Sequence, residues 1–224
     1  MLLLAFDTAT PAVTVALHDD SGVLAGSTRV DARRQGELLA PGIVDVLRAA
    51  GRTRFELTDI AVGVGPGPYT GLRVGIVTAL AMGDALGIPV HGVCTLDALA
   101  YAARRDGTVE GPFVAATDAR RKEVYWARYD DAGERVEGPG VDRAAELALG
   151  AVRVAVGAGA ALYPECFAEV RGPEHPDAAA LAGFAASRLA GGRELLPAEP
   201  LYLRRPDAQV PAGYKAVTPS GPRP

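Results

Sequence analysis

From residue 59 to residue 75 the chain reads Asp-Ile-Ala-Val-Gly-Val-Gly-Pro-Gly-Pro-Tyr-Thr-Gly-Leu-Arg-Val-Gly, and few folds accommodate that order. The opening apolar run is too short for a helix and stops at Gly63, Gly65 and Gly67, so it predicts a strand entering a tight loop. Tyr69 to Leu86 then continue as a long helix rich in small residues. Strand, glycine loop and helix in succession are the working unit of an α/β protein. Within the helix Gly71, Gly75, Ala79 and Gly83 recur every four residues, which leaves one stripe almost bare of side chains. Each interior glycine costs up to about 1 kcal/mol relative to alanine, so the repetition implies a demand for close approach. A sheet of the same chain and the surface of another subunit account for that demand equally well.

The flanking segments fit the same scheme. Leu2 to Ala9 predict a buried strand ending on a carboxylate, and the next two strand-like runs predict a hairpin turning at Ser21-Gly22. Glu37 to Ala49 place Leu38, Leu39, Ile43, Val46 and Leu47 at helical spacing, with Pro41 in the first turn and Gly51 as the stop. Pro89 to Val93 predict a further strand, and Thr95 is expected to cap the helix that follows by accepting a backbone N–H. A first subdomain would then span residues 1–105. In residues 106–210, PFVAATDARRKEVYWARYD predicts two strands around a polar loop, AVRVAVGAGA another strand, and Ala178 to Leu189 an alanine-rich helix that can pack back on the first half. Residues 211–224, with four prolines and two glycines, predict a disordered tail. No repeat of 20 to 50 residues is visible.

Charge and cysteine content exclude several functions. With 23 basic and 27 acidic residues the net charge is −4, which argues against holding nucleic acid through an overall field. Cys94 and Cys166 are far apart and lack His or Cys neighbours at metal-ligand spacing. Neither a signal peptide nor a membrane span is expected, and the expectation is a soluble cytoplasmic protein.

Three motifs carry chemistry. Asp7-Thr8-Ala9-Thr10 can face a phosphate with backbone and hydroxyl donors while the acid holds a hydrated cation, or Asp7 can simply cap its own turn. Gly65 and Gly67 open the loop ahead of a helix N-terminus, which attracts anions. The loop is neither a Walker motif nor a dinucleotide fingerprint. Asp118, Arg120, Arg121 and Glu123 form either a plain charged hairpin tip or a pair of guanidiniums for a carboxylate or phosphate. His18, His91 and His175 are isolated and form no metal pair.

Taken together, DTAT, LLAPGIVDVL, GVGPGPYTGLRVGIVTALAMGDALGIPVHGVCTLDALA, DARRKEVYWARY and PLYLR resemble the TsaB (YeaZ) family, in family order, over roughly residues 2 to 205. That resemblance implies an α/β fold of the ASKHA type, with two ribonuclease H-like halves as in actin and sugar kinases. It implies a noncatalytic dimerisation subunit that binds the TsaD catalytic paralogue, with the TsaE ATPase joining, during threonylcarbamoyl transfer to tRNA adenosine beside the anticodon. A homodimer through the same surface, a tRNA contact that is indirect or weak, and no membrane association are implied as well. So is the absence of cofactor, metal and catalytic residues, with ATP or ADP confined to a shared interface of the complex. The family's pairing helices match the helices here, which points to Leu39, Ile43, Leu47, Tyr69, Leu72, Arg73, Ile76 and Leu80 as the partner interface and favours the subunit account of the glycine stripe. Asp7, Thr8, Thr10, Gly65 and Gly67 become a vestigial phosphate cleft.

Where the catalytic paralogue carries an HxxxH metal pair, this chain has Thr95 and Leu99, which cannot rebuild it. Many relatives carry histidine where Gln35 stands, and glutamine does not titrate near neutral pH. The competing expectation is an independent kinase or nucleotide hydrolase using Asp7 and the glycine loop. An M22-type protease finds least support, since Cys94 has no identifiable histidine partner.

Overall fold

The computed structural model describes residues 1–204, so the segment expected to be a tail lies outside the described residues. Strands β1 (Leu2–Asp7), β2 (Ala12–Asp19), β3 (Gly22–Val30), β4 (Asp59–Gly63) and β5 (Val90–Val93) form one sheet, connected through α1 (Gln35–Ala49) and α2 (Tyr69–Leu86). Helix α3 (Thr95–Arg105) leads to a second sheet of β6 (Phe113–Asp118), β7 (Glu123–Tyr129), β8 (Arg135–Arg143), β9 (Val154–Val156) and β10 (Glu169–Arg171), with α4 (Ala158–Leu162) between the last two strands and α5 (Ala178–Ala190) after them. The strand orders are β3-β2-β1-β4-β5 and β8-β7-β6-β9-β10. In each sheet the first three strands pair antiparallel and the remaining pairings are parallel. One topology is therefore used twice, as the expected two-half α/β architecture requires. The repeat spans half the chain, well beyond a 20-to-50-residue period. Even the parallel turns echo each other: β4 runs into Ala61-Val62-Gly63-Val64-Gly65 and β9 into Ala155-Val156-Gly157-Ala158-Gly159.

Strand β1 is buried on both faces because both are covered. Leu2, Leu4 and Phe6 meet Leu39, Ile43 and Leu47 of α1 and Leu72 and Ile76 of α2, whereas Leu3 and Ala5 meet Leu181, Ala182 and Ala185 of α5. Strand β6 repeats the pattern, with Phe113 and Ala115 against Leu96, Leu99 and Ala100 of α3, and Val114 and Ala116 against Ala160 and Phe167. The layers run α1 and α2, first sheet, α5 and α3, second sheet, α4. Alanines in the middle layer let two helices fit side by side between the sheets. The start of α5 is fastened from the first sheet, since Thr14 Oγ1 accepts the Ala178 N–H at 2.8 Å, and Asp177 caps the helix by accepting the Ala180 N–H at 2.7 Å.

Several expectations need correction. The hairpin turns at Asp20-Ser21, because Asp19 accepts both the N–H and the hydroxyl of Ser21 and pairs with Gly22. Helix α1 begins at Gln35, so Pro41 sits in its second turn, where the carbonyl left without a donor belongs to exposed Glu37 and can reach water. AVRVAVGAGA supplies only a three-residue strand, because Gly157 at φ 103° starts α4.

Two corrections bear on the expected interface. Leu39, Ile43, Leu47, Leu72 and Ile76 face this chain's own core, because α1 and α2 must cover β1 and β4. The glycine stripe faces inward too. A Cβ on Gly71 would strike the Thr8 carbonyl oxygen, one on Gly75 would stand 2.6 Å from Thr8 Oγ1, and one on Gly83 would strike the Val90 side chain. The close approach is within the chain.

Gly71→Ala should therefore destabilise by about 1–3 kcal/mol despite alanine's better helix propensity, because backbone cannot yield to the added methyl. Gly36→Ala, with its nearest neighbour 4.0 Å away, should instead be neutral or stabilising by up to about 1 kcal/mol. Denaturant unfolding of the two variants separates these outcomes.

Candidate functional site

The expected capping role of Thr95 is not what the fold makes of it. Thr95 is the first residue of α3 itself, and its hydroxyl donates to Asp7 Oδ2 at 2.7 Å while accepting the Gly65 N–H at 3.2 Å. Asp7 Oδ1 accepts the Ala9 N–H at 2.6 Å, closing the turn between β1 and β2. The carboxylate lies against Gly63, where any Cβ would overlap it. Asp7 is thus fully buried with both oxygens in use. Burial raises its pKa from 3.8 to about 6, and the bonds from Ala9 and Thr95 offset part of that rise.

Of the five residues expected to make a phosphate cleft, the fold brings Asp7, Thr8 and Gly65 together but turns them inward. Thr8 donates its hydroxyl to the Gly71 carbonyl at 2.7 Å, joining the β1–β2 turn to the first turn of α2. Gly65, at φ 95°, packs against Leu72. Each Asp7 oxygen accepts a hydrogen bond from within the chain, so the capping account of Asp7 describes its geometry. Thr10 lines a cavity of about 840 Å³ between the two halves, and Gly67 lines a neighbouring one of about 570 Å³.

The larger cavity contains groups the motif search passed over. Thr117 Oγ1 and His175 Nδ1 are buried without a hydrogen-bond partner among the described residues, and both residues line it together with Gln35, Asp118, Arg120 and Glu174. The uncapped start of α1 opens there as well. Nothing in the local pattern around Thr117 or His175 marks them, because their setting depends on the second half meeting the first. Leu99, at the other position compared with the metal pair, is fully buried in the second-sheet core. Among the described residues no three His, Cys, Asp or Glu side chains are grouped for a metal ion. Cys94 is buried and its thiol is pushed up to about 12 by that burial, which keeps it protonated and unreactive at neutral pH.

The raised pKa of Asp7 has a sign that can be measured. The folded state binds this proton more tightly than the unfolded chain, so the associated stability is complete below about pH 4 and is lost as pH rises through about 6. Between pH 4 and 7 the stability of the wild type relative to Asp7→Asn should fall by up to about 3 kcal/mol. A pH-independent difference in urea midpoints would show that Asp7 titrates normally.

Comparison with known proteins places this arrangement. Residues 29–190 match the family model described as "TsaD: tRNA N6-adenosine threonylcarbamoyltransferase". An uncharacterised protein of Mycobacterium tuberculosis is 46% identical over 211 residues, covering 92% of this chain and 93% of the relative. The tRNA threonylcarbamoyladenosine biosynthesis protein TsaB of Escherichia coli is 40% identical over 132 residues, 58% of this chain and 55% of that protein. Among solved structures, YeaZ from Pseudomonas aeruginosa superposes with a TM-score of 0.79 at 32% identity, covering 90% of this chain and 99% of YeaZ. With 99% of a YeaZ structure matched at 32% identity, the chain belongs to the TsaB (YeaZ) family.

Proposed function

We propose that the chain is a noncatalytic subunit in the biosynthesis of threonylcarbamoyladenosine on tRNA, binding a TsaD-type catalytic partner through the exposed face of α2. The observation that carries this reading is a stripe on that helix, in which Tyr69, Val77 and Leu80 are 54%, 60% and 48% exposed and Arg73 stands among them. Val44 of α1, the helix packed against α2, is 51% exposed as well. A contiguous apolar stripe with an arginine and a tyrosine has the make-up of a protein contact. Of the residues first expected there, Tyr69, Arg73 and Leu80 remain, and Val77 and Val44 join them.

The noncatalytic part of the reading rests on Asp7, which is fully buried and whose oxygens accept from Ala9 and Thr95. The homologue named for this pathway in Escherichia coli supports the process. A TsaE-type ATPase joining the pair, self-association through the same face when the partner is missing, and a cytoplasmic setting belong to the same proposal. No described helix is long and apolar enough to cross a membrane.

Light scattering of the purified chain mixed with the TsaD-type paralogue from the same genome should show a heterodimer. Val77→Glu and Leu80→Glu should each weaken it at least tenfold with little change in thermal stability. Leu72→Ala should do the reverse, destabilising by about 2–5 kcal/mol through its core cavity. Absence of a complex, or ATP turnover by the lone chain, would favour an independent kinase or hydrolase.

A further inference from the structure

The cavity of about 840 Å³ between the two halves combines unpaired polar groups with apolar walls. Side chains alternate along a strand, so Thr117 shares the face of β6 on which Phe113 and Ala115 meet α3. Thr117 is 4% exposed, and its Oγ1 has no hydrogen-bond partner among the described residues. A buried hydroxyl in a folded protein is nearly always paired, so an unpaired one on a cavity wall points to a ligand. His175 Nδ1 is unpaired at the same cavity, and α1 opens there at Gln35 with no side chain accepting from its first N–H groups. Arg33, just ahead of that helix, lines the cavity, is exposed and has no ion pair among the described residues. Arg120 differs, because Asp118 stands 3.3 Å from its guanidinium. Pro11, Pro68, Ala161 and Leu162 supply apolar wall, and no Phe, Tyr or Trp among the described residues lines the space.

We propose that this cavity binds a monocarboxylic acid with an aliphatic body. Its carboxylate would sit with Arg33, the first N–H groups of α1 and Thr117, and its chain against Pro11, Pro68, Ala161 and Leu162. A carboxylate accepts from N–H and O–H donors alike, and a guanidinium beside a helix N-terminus favours negative charge. Small-molecule sites are concave, largely apolar and oriented by a few polar groups, and this volume falls within their range of roughly 300–1,000 Å³. One negative charge is what the walls balance. Asp118 offsets Arg120, and Glu174 Oε1 lies 3.7 Å from His175 Nε2, which leaves Arg33 as the lining arginine with no carboxylate beside it. A nucleotide suits the cavity less well, because its phosphates would meet Asp118 and Glu174 and its base would find no ring of Phe, Tyr or Trp to stack on. The site is distinct from the outer face of α2, so it adds a small-molecule contact to the subunit role proposed above and does not depend on it.

Isothermal titration calorimetry of the full chain with octanoate tests this, with octan-1-ol, inorganic phosphate and ATP as comparison ligands. One octanoate should bind per chain, and the alcohol, which keeps the hydrocarbon but lacks the charge, should bind about tenfold more weakly. Arg33→Gln and Thr117→Val should each weaken octanoate about tenfold. Thr117→Val should at the same time leave the thermal midpoint of the free chain unchanged or raise it, since it replaces an unpaired hydroxyl by a methyl of the same shape. In the wild type, nuclear Overhauser contacts from the octanoate methylenes to the Leu162 methyls should locate the ligand, a readout that needs no variant to fold. Absence of octanoate binding, octanol binding as tight as octanoate, or unchanged affinity in either variant would overturn the proposal. So would displacement of octanoate by phosphate or ATP at equal concentration, since the cavity would then be a phosphate site. None of these results bears on the light scattering of the TsaD-type pair, so the two readings fail separately.

Discussion

One buried hydroxyl organises the first half of this molecule. Thr95 ties the end of β1, the glycine loop after β4 and the start of α3 to a single oxygen, across 88 residues from Asp7. In so dry a place an unmade bond costs more than a made one contributes, so the three segments stand or fall together. The aspartate's position requires Gly63, the loop's path sets where α2 begins, and Thr8 then requires Gly71 and Gly75. The inward face of α2 is occupied before any partner arrives. What the sheet leaves uncovered is the opposite face, with Tyr69, Arg73, Val77 and Leu80.

The same network turns the parts of a phosphate site to bonds within the chain's own fold. A carboxylate at the end of a first strand, followed by hydroxyl residues and facing a glycine loop, has the parts for phosphate and metal binding. Here a threonine hydroxyl donates to one oxygen of that carboxylate. The unpartnered polar atoms lie instead across the cleft, at Thr117 and His175, where the second half forms the wall.

Much of the architecture was legible in sequence because it is written in short-range chemistry. Glycine spacing, the αL stop at Gly51 and the apolar runs of β1, β4 and β6 all act within a few residues of themselves. Thr95 was misjudged for the opposite reason: the capping rule is local, whereas its bond partner lies in another strand. The interface was half legible. Helical period shows that α2 has apolar residues, but with leucine, isoleucine and valine around much of its circumference the period does not say which side the sheet takes. Leu72 and Ile76 go to the core, and Val77 and Leu80 stay outside. The duplicated topology left almost no trace except the paired Ala-Val-Gly-X-Gly turns, because strand order is a property of hydrogen bonding and not of composition.

The two halves share a strand order but not a covering. The long helix after β4 has 18 residues, and its counterpart after β9 has five. Only the first half therefore has a broad helical surface left over once its sheet is covered. The duplication of topology is therefore not matched by a duplication of helical surface, and a contact made by the outer face of α2 has no counterpart of similar length on α4.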